Sequence, residues 1–252
     1  MRALSSLADA DRIFAVMTAT WGEHQLLPRE MIRALAESGN VPWGAFDGDE
    51  MVGYVLGWAG VEPEDAELHV HSHMLAAVPD RRSKGVGYAL KLAQRAQALD
   101  QGIHLVRWTY DPLVSRNAWF NIGKLGAVAD RFERNFYGEM SDSLNRGERS
   151  DRLVVRWDLD REGASAPSAG TAVLERGGDP PRPVQPAAPT HDGATVQIPR
   201  EYGELRATEP ELAAEWRDAV ADVIEQCFAA RLIAAAFDGA TSTYAFIPAE
   251  RV

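Results

Sequence analysis

Apolar residues recur at helical spacing from about Leu7 to Ala19 and again from Pro28 to Glu37. Pro28 suits a first helical turn, and Gly39 follows the second segment's end. Two runs of extended character come next, Val41 to Phe46 and Met51 to Ala59. Asp47-Gly48-Asp49-Glu50 between them predicts a hairpin. Glu67 to Val78 reads as a longer strand, closed by Pro79, which removes a backbone donor. The period turns helical again from Val86 to Gln101, with Ala89, Leu92, Ala93, Ala96 and Leu99 as the inward stripe and Gly102 as the stop. A strand from Ile103 to Thr109 ends at Asp111-Pro112. A short helix follows from Val114 to Leu125, then a weakly alternating strand from Val128 to Tyr137 and a clean one from Leu153 to Leu159. Strand, glycine-rich turn, helix, strand, helix, strand is an α/β order, in which helices must cover a mixed sheet to bury its apolar faces.

The pattern fails between Arg161 and Pro199. Pro167, Pro180, Pro181, Pro183, Pro186 and Pro189 lie there among Ala, Gly and Ser, which predicts a linker or mobile loop. Pro210 then opens a helix to about Ala230, with Leu212, Trp216, Ala219, Val220, Val223 and Cys227 on one face. Two strands, Leu232 to Phe237 and Ser242 to Ile247, flank Gly239. The expected division is therefore 1–160, a linker over 161–199, and a small C-terminal α+β extension over 200–252. A core of about fifty residues is marginal alone, so the extension is expected to dock on the first domain or on a partner, a homodimer included.

Composition narrows the partners. No run of eighteen apolar residues occurs, so no membrane span is expected. Asp9 and Asp11 fall where a secretory leader would carry basic residues, and a cytoplasmic location is expected. The formal net charge of -11 repels nucleic acid. One zone departs from that balance: Arg81, Arg82, Lys84, Lys91, Arg95 and Arg107 against the single acid Asp100. It reads either as a solvated helix face or as the seat of a small anion. Cys227 is the only cysteine, which excludes an internal disulfide; its apolar surroundings read as core, and no base is evident to make it a nucleophile.

Residues 76–95 hold the sharpest signal. A strand ends at Pro79, and a turn with Gly85 and Gly87 leads directly into a helix. Glycines there let the backbone approach a ligand, and the N–H groups of residues 83–87 with the helix dipole suit an anion such as pyrophosphate. A dinucleotide fingerprint is excluded because its third glycine position is Leu90. A Walker loop is excluded because Lys84 precedes the glycines.

Arg82-Ser83-Lys84-Gly85-Val86-Gly87 resembles the [Q/R]-x-x-G-x-[G/A] pyrophosphate loop of the GNAT (Gcn5-related N-acetyltransferase) family, and the approach through Val78 and Pro79 is similar to that family's fourth strand. The resemblance covers roughly residues 7–159. It implies a mixed, splayed central sheet with helices on both faces, and acetyl-CoA or another acyl-CoA as cofactor. It implies pantetheine contacts from the backbone of Ala76, Ala77 and Val78, and phosphate contacts from Arg82, Ser83, Lys84, Gly85, Val86 and Gly87. The run Trp108 to Leu113, with Arg116-Asn117-Ala118, Lys124-Leu125-Gly126, Asn135-Phe136-Tyr137-Gly138 and Ser150-Asp151-Arg152, resembles a largely uncharacterised bacterial branch of predicted acetyltransferases.

Acyl transfer from a thioester requires an amine to lose a proton, donors for a developing oxyanion, and an acid for the leaving thiolate. Many GNAT enzymes carry a tyrosine where this chain has Ile122, so Tyr110 and Tyr137 are the substitute acids. Asn117 is a cofactor-contact candidate or a helix-start cap. His69, His71 and His73 alternate on one strand face. His73 is the preferred base, with paired core histidines as the alternative and no metal expected, since no Cys or carboxylate completes a ligand set. Asp111 could bind a substrate ammonium or simply form an Asp-Pro turn. Trp108 and Trp119 could line a pocket or pack in the core. The acceptor is expected to be a small-molecule or peptide amine. A non-catalytic acyl-CoA sensor and a fold recruited to other work are the competing readings.

Overall fold

The structure is a computed structural model that describes residues 1–22, 27–63, 66–81, 84–140, 147–161, 163 and 170–251. It is a mixed α/β fold in which mixed sheet is flanked by helices. The chain divides into two compact units: one of 1–108, 139–148 and 158–160, the other of 109–138, 149–157 and 161–252.

The first unit opens with β1 (Arg2–Ala3) and α1 (Leu7–Trp21). Ser6 caps α1 by accepting from the Asp9 amide at 3.1 Å, and Asp9 accepts from the Ser6 amide at 3.2 Å, a reciprocal box that satisfies two amides with no helical partner. Asp9 also takes Arg2 at 2.6 Å, and these donors hold its carboxyl far below the usual carboxylate range. α2 (Arg29–Glu37) follows, then β2 (Trp43–Asp47), β3 (Glu50–Val61), β4 (Leu68–Ala77), α3 (Val86–Asp100) and β5 (Leu105–Tyr110). β1, β2, β3 and β4 pair antiparallel in sequence, and β4 pairs parallel with β5. Ile13, Val16 and Met17 of α1 join Ile32, Tyr54 and Leu56 in one core cluster. Leu90 of α3 joins Ala45, Val52 and Val55 in a second, so helices cover both faces of this sheet.

α3 does not bury its expected stripe. Its buried residues are Leu90, Lys91, Gln94 and Ala98, while Leu92 and Ala96 are exposed. Two polar side chains stand where the apolar pattern placed alanine and leucine. They can do so because their heads are hydrogen-bonded inside, as shown below.

The second unit holds α4 (Ser115–Ala118), a π-helical turn at Trp119–Lys124, β6 (Val128–Glu133), β7 (Arg152–Asp158), β8 (Thr171–Gly177), β9 (Arg182–Val184), β10 (Ala194–Gln197), α5 (Tyr202–Thr208), α6 (Pro210–Ala229), β11 (Leu232–Asp238) and β12 (Thr243–Pro248). β7 pairs with β6, β6 with β11, β11 with β12 and β12 with β10, all antiparallel; β10 runs parallel to β8, and β9 closes the edge. Among residues 170–199, expected as linker, three strands form instead. Val173, Leu174, Ala194, Val196 and Ile198 are buried, which supplies the core the proline count concealed. Pro183 lies in the short edge strand β9, where a missing amide is tolerated. α6 buries Leu212, Trp216, Val220, Val223 and Cys227; burial pushes the Cys227 thiol up to about 12, the behaviour of a core cysteine.

Candidate functional site

In the first unit β4 carries an irregularity at its centre. Leu56 pairs with Met74 and Gly57 with Ser72, so β3 passes over His73 as a bulge. Gly57 is required there: a Cβ would lie 2.5 Å from the His71 carbonyl oxygen and 3.1 Å from Gln94 Nε2. The parallel ladder between β4 and β5 covers Val70 with Val106 and His71 with Arg107, then stops, although β4 continues to Ala77. The two strands therefore fork, and the first residues beyond the last pair are Ser72 and Trp108.

β4 leads through a single helical turn at Pro79–Arg81 toward α3. Gly85 stands at the head of α3 in the left-handed region, φ 86°, and no side chain caps the helix. Among the described residues, a Cβ at Gly85 would meet nothing within 4 Å. Lys84 is exposed, and Val86 and Gly87 are half-buried in the first turn. Arg82 and Ser83 lie outside the described residues. Ala76 and Ala77 pair with Tyr54 and Gly53 of β3. Val78 donates its amide to the Val52 carbonyl at 3.0 Å, and its own carbonyl accepts the Arg81 amide at 2.9 Å, so both its backbone groups are engaged within the unit.

The basic zone read from the sequence is not one surface. Arg81 is bonded to Asp47, and Arg95 to the Leu159 carbonyl. Arg107 pairs with Glu62 at 3.3 Å. Lys91 is 2% exposed: its Nζ donates to Ser72 Oγ at 2.8 Å and to Gln94 Oε1 at 3.1 Å, and lies 3.7 Å from the centroid of Trp108. Burial holds this amine well below its ordinary pKa.

His69 is buried and lies against Gly60. His71 and His73 instead flank Trp58, with ring centroids at 5.1 and 4.8 Å. Burial, then the neighbouring His73, His69 and Lys91, push His71 down to about 4, and burial also lowers His73. His73 is the more exposed of the two rings, and its lowering reflects partial burial.

The remaining candidates lie in the second unit. Tyr110 is 5% exposed and donates to Tyr244 Oη at 3.2 Å, while Tyr244 donates to the Pro112 carbonyl at 2.8 Å; burial raises both phenols. Tyr137 is exposed, its hydroxyl 3.1 Å from Thr109 Oγ1. Asn117 is half-buried in α4, its amide bonded to the Val114 carbonyl at 2.8 Å, and Ile122 is fully buried. Asp111 is met by Arg217 through two parallel bonds of 2.9 and 2.8 Å and accepts the Leu113 amide at 2.9 Å, so a cation from α6 already occupies it. Trp108 belongs to the core of the first unit. Trp119 is 47% exposed, its ring resting on Gly123 and Gly239.

Ser72 and Gln94 were not singled out from the sequence, and Lys91 was read only as one member of the basic zone. Residues 91, 94 and 98 follow the spacing of a buried helix face, a signal missed because a core stripe was sought among apolar residues only. Among the described residues no cluster of three or more His, Cys, Asp or Glu is placed to hold a metal, and no helix is long and apolar enough to cross a membrane.

Residues 8–119 match the model of the Acetyltransferase (GNAT) family. Naa20 of Chaetomium thermophilum, solved with a bisubstrate analogue, is similar at 18% identity over 64% of this chain and 86% of its own, with a TM-score of 0.51. An acetyltransferase of the GNAT family from Streptococcus pneumoniae is similar at 16% identity over 62% of this chain and 96% of its own, again with a TM-score of 0.51. A search of curated proteins finds no match. The likenesses establish a GNAT fold; spanning bacteria and eukaryotes, they single out no bacterial branch.

Proposed function

We propose that this GNAT-fold chain is an acyl-CoA-dependent N-acyltransferase, with acetyl-CoA as the first donor to test and a small-molecule or peptide amine as acceptor. The observation that carries the reading is the fork of β4 and β5 in the same unit as the uncapped head of α3. The residues that would hold the coenzyme are Arg82, Ser83, Lys84, Gly85, Val86 and Gly87 at its phosphates and Ala76 and Ala77 along its arm, with Asn117 as a further contact. The engaged backbone of Val78 makes it the weakest member of that set. Among the described residues nothing stands within 4 Å of a Cβ at Gly85, which is compatible with an anion approaching that backbone. Bound acyl-CoA supplies the activated acyl thioester.

His73 is the base in this reading. The lowering of its pKa favours the neutral imidazole, the form that can take a proton from an ammonium group. Of the two tyrosines, Tyr137 is the acid candidate, because the Tyr110 hydroxyl is buried against Tyr244. The observation that favours a non-catalytic acyl-CoA sensor is the buried Ile122 at the family's tyrosine position.

Incubation with acetyl-CoA and longer acyl-CoAs against an amine panel, followed by thiol release, tests the enzyme reading; release is expected. Silence across the panel with tight CoA binding would favour the sensor. Arg82→Ala should weaken binding of intact CoA by about tenfold or more, the loss of one charge-assisted contact worth ~1.5–3 kcal/mol, while leaving pantetheine unaffected. Unchanged CoA affinity would remove the phosphate assignment.

A further inference from the structure

We propose that Lys91 is the pin of the strand fork, a positioning residue that fixes where β4 and β5 part and thereby the seat of the acyl-CoA arm. The inference rests on the acyl-CoA reading for its functional half and on geometry alone for its structural half.

Three contacts carry it. Nζ of Lys91 lies 2.8 Å from Oγ of Ser72, the first β4 residue beyond the last ladder pair. It lies 3.7 Å from the ring centroid of Trp108, the first β5 residue beyond that same pair. Gln94, one turn along α3, accepts from Lys91 at 3.1 Å and would press against any Cβ at Gly57, opposite the bulge. A single buried group thus bridges both strands at the point of divergence and ties them to α3. Beyond that point the ladder pairs no further residues of the two strands.

Burying an amine is costly, and an apolar side chain of similar volume would pack at least as well. A stability role alone therefore does not account for lysine here. What the amine adds is direction: a hydrogen bond aimed at Ser72 together with its seat over the Trp108 ring holds both backbones in register past the fork. The bulge that presents His73 begins at Ser72, so the same pin sets the proposed base.

The test uses Lys91→Met in the full chain, with Ser72→Ala as a second variant that removes only the strand-side contact. In the ligand-free protein, amide hydrogen exchange should quicken about tenfold or more in peptides covering residues 71–77 and 105–108, and stay unchanged elsewhere, with the melting temperature held or raised. Calorimetry should show affinity for acetyl-CoA falling about tenfold and affinity for 3′,5′-ADP, which lacks the arm, unchanged. Unaltered exchange at the fork in both variants overturns the pin. Exchange that quickens throughout the unit, with both ligands weakened alike, also overturns it and leaves a general packing role. Local quickening in a protein that binds no acetyl-CoA supports the pin and overturns the coenzyme reading instead.

Discussion

Lys91 in the first unit and Arg217 in the second are both buried basic residues on long helices, and they are used in opposite ways. Arg217 meets Asp111 through two parallel charged hydrogen bonds and lies 5.0 Å from the Tyr202 ring. That pair joins residues far apart in sequence within the second unit. Lys91 is met by a hydroxyl, an amide and an aromatic ring, at the point where a sheet comes apart. The difference teaches where each unit's polar groups act. The second unit uses a buried charge pair to hold its fold, and the first uses a buried amine to shape a gap.

The largest expected effect breaks the second arrangement. Arg217→Met leaves the Asp111 carboxylate mostly buried, with Arg152 4.0 Å away as partial compensation. Removing one member of a buried pair costs about 3 kcal/mol. Urea unfolding should show that loss, and the Asp111→Asn, Arg217→Met double variant should lose less than the sum of the two single variants. Lys91→Met should not lose stability at all. Equal losses at the two sites would erase the contrast.

A smaller effect appears with pH. The neutral His71 imidazole is favoured in the fold, down to about 4, whereas an unfolded histidine binds its proton near 6.5. The unfolded chain therefore takes up protons first as the medium acidifies. The stabilisation is whole above pH 6.5 and is lost as pH falls toward 4, about 2 kcal/mol after allowance for a ring that solvent partly reaches. Asp9, held far below its ordinary value, gives way only at still lower pH. The urea midpoint should fall between pH 7 and 4.5, and His71→Gln should shrink that fall.

What the sequence made legible follows the range of the interaction. The Gly48 hairpin and the glycine turn before α3 depend on neighbours along the chain, and each was readable locally. So was α6, whose apolar face is periodic. The strands at 171–197 were not, because Val173 and Val196 gain their meaning only when β8, β10 and β12 lie side by side. Asp111 offered two readings, a turn or an ammonium site, and the partner that decides its role is an arginine in α6. Lys91 was concealed by its chemistry: a lysine on a helix reads as solvated unless the hydroxyl that receives it is known.

The smallest effect tests whether the glycine turn is shaped for a ligand or merely tolerated. Gly85 has φ 86°, a region that costs a residue with a Cβ about 1 kcal/mol, and none of the described residues would collide with that Cβ. Gly85→Ala should therefore lower unfolding free energy by about 1 kcal/mol and no more. Gly57→Ala, whose Cβ would strike the His71 carbonyl, should lose more. Calorimetry on the alanine variant at Gly85 then sharpens the contrast between the units. If the head of α3 receives the phosphates through its backbone, relaxation of φ away from the left-handed region re-aims those amides. CoA affinity should then fall by about tenfold, a change that exceeds the stability cost. An affinity that stays level while stability drops would mean that the amides are not the contact, and the binding role would pass to Arg82 and Lys84 alone.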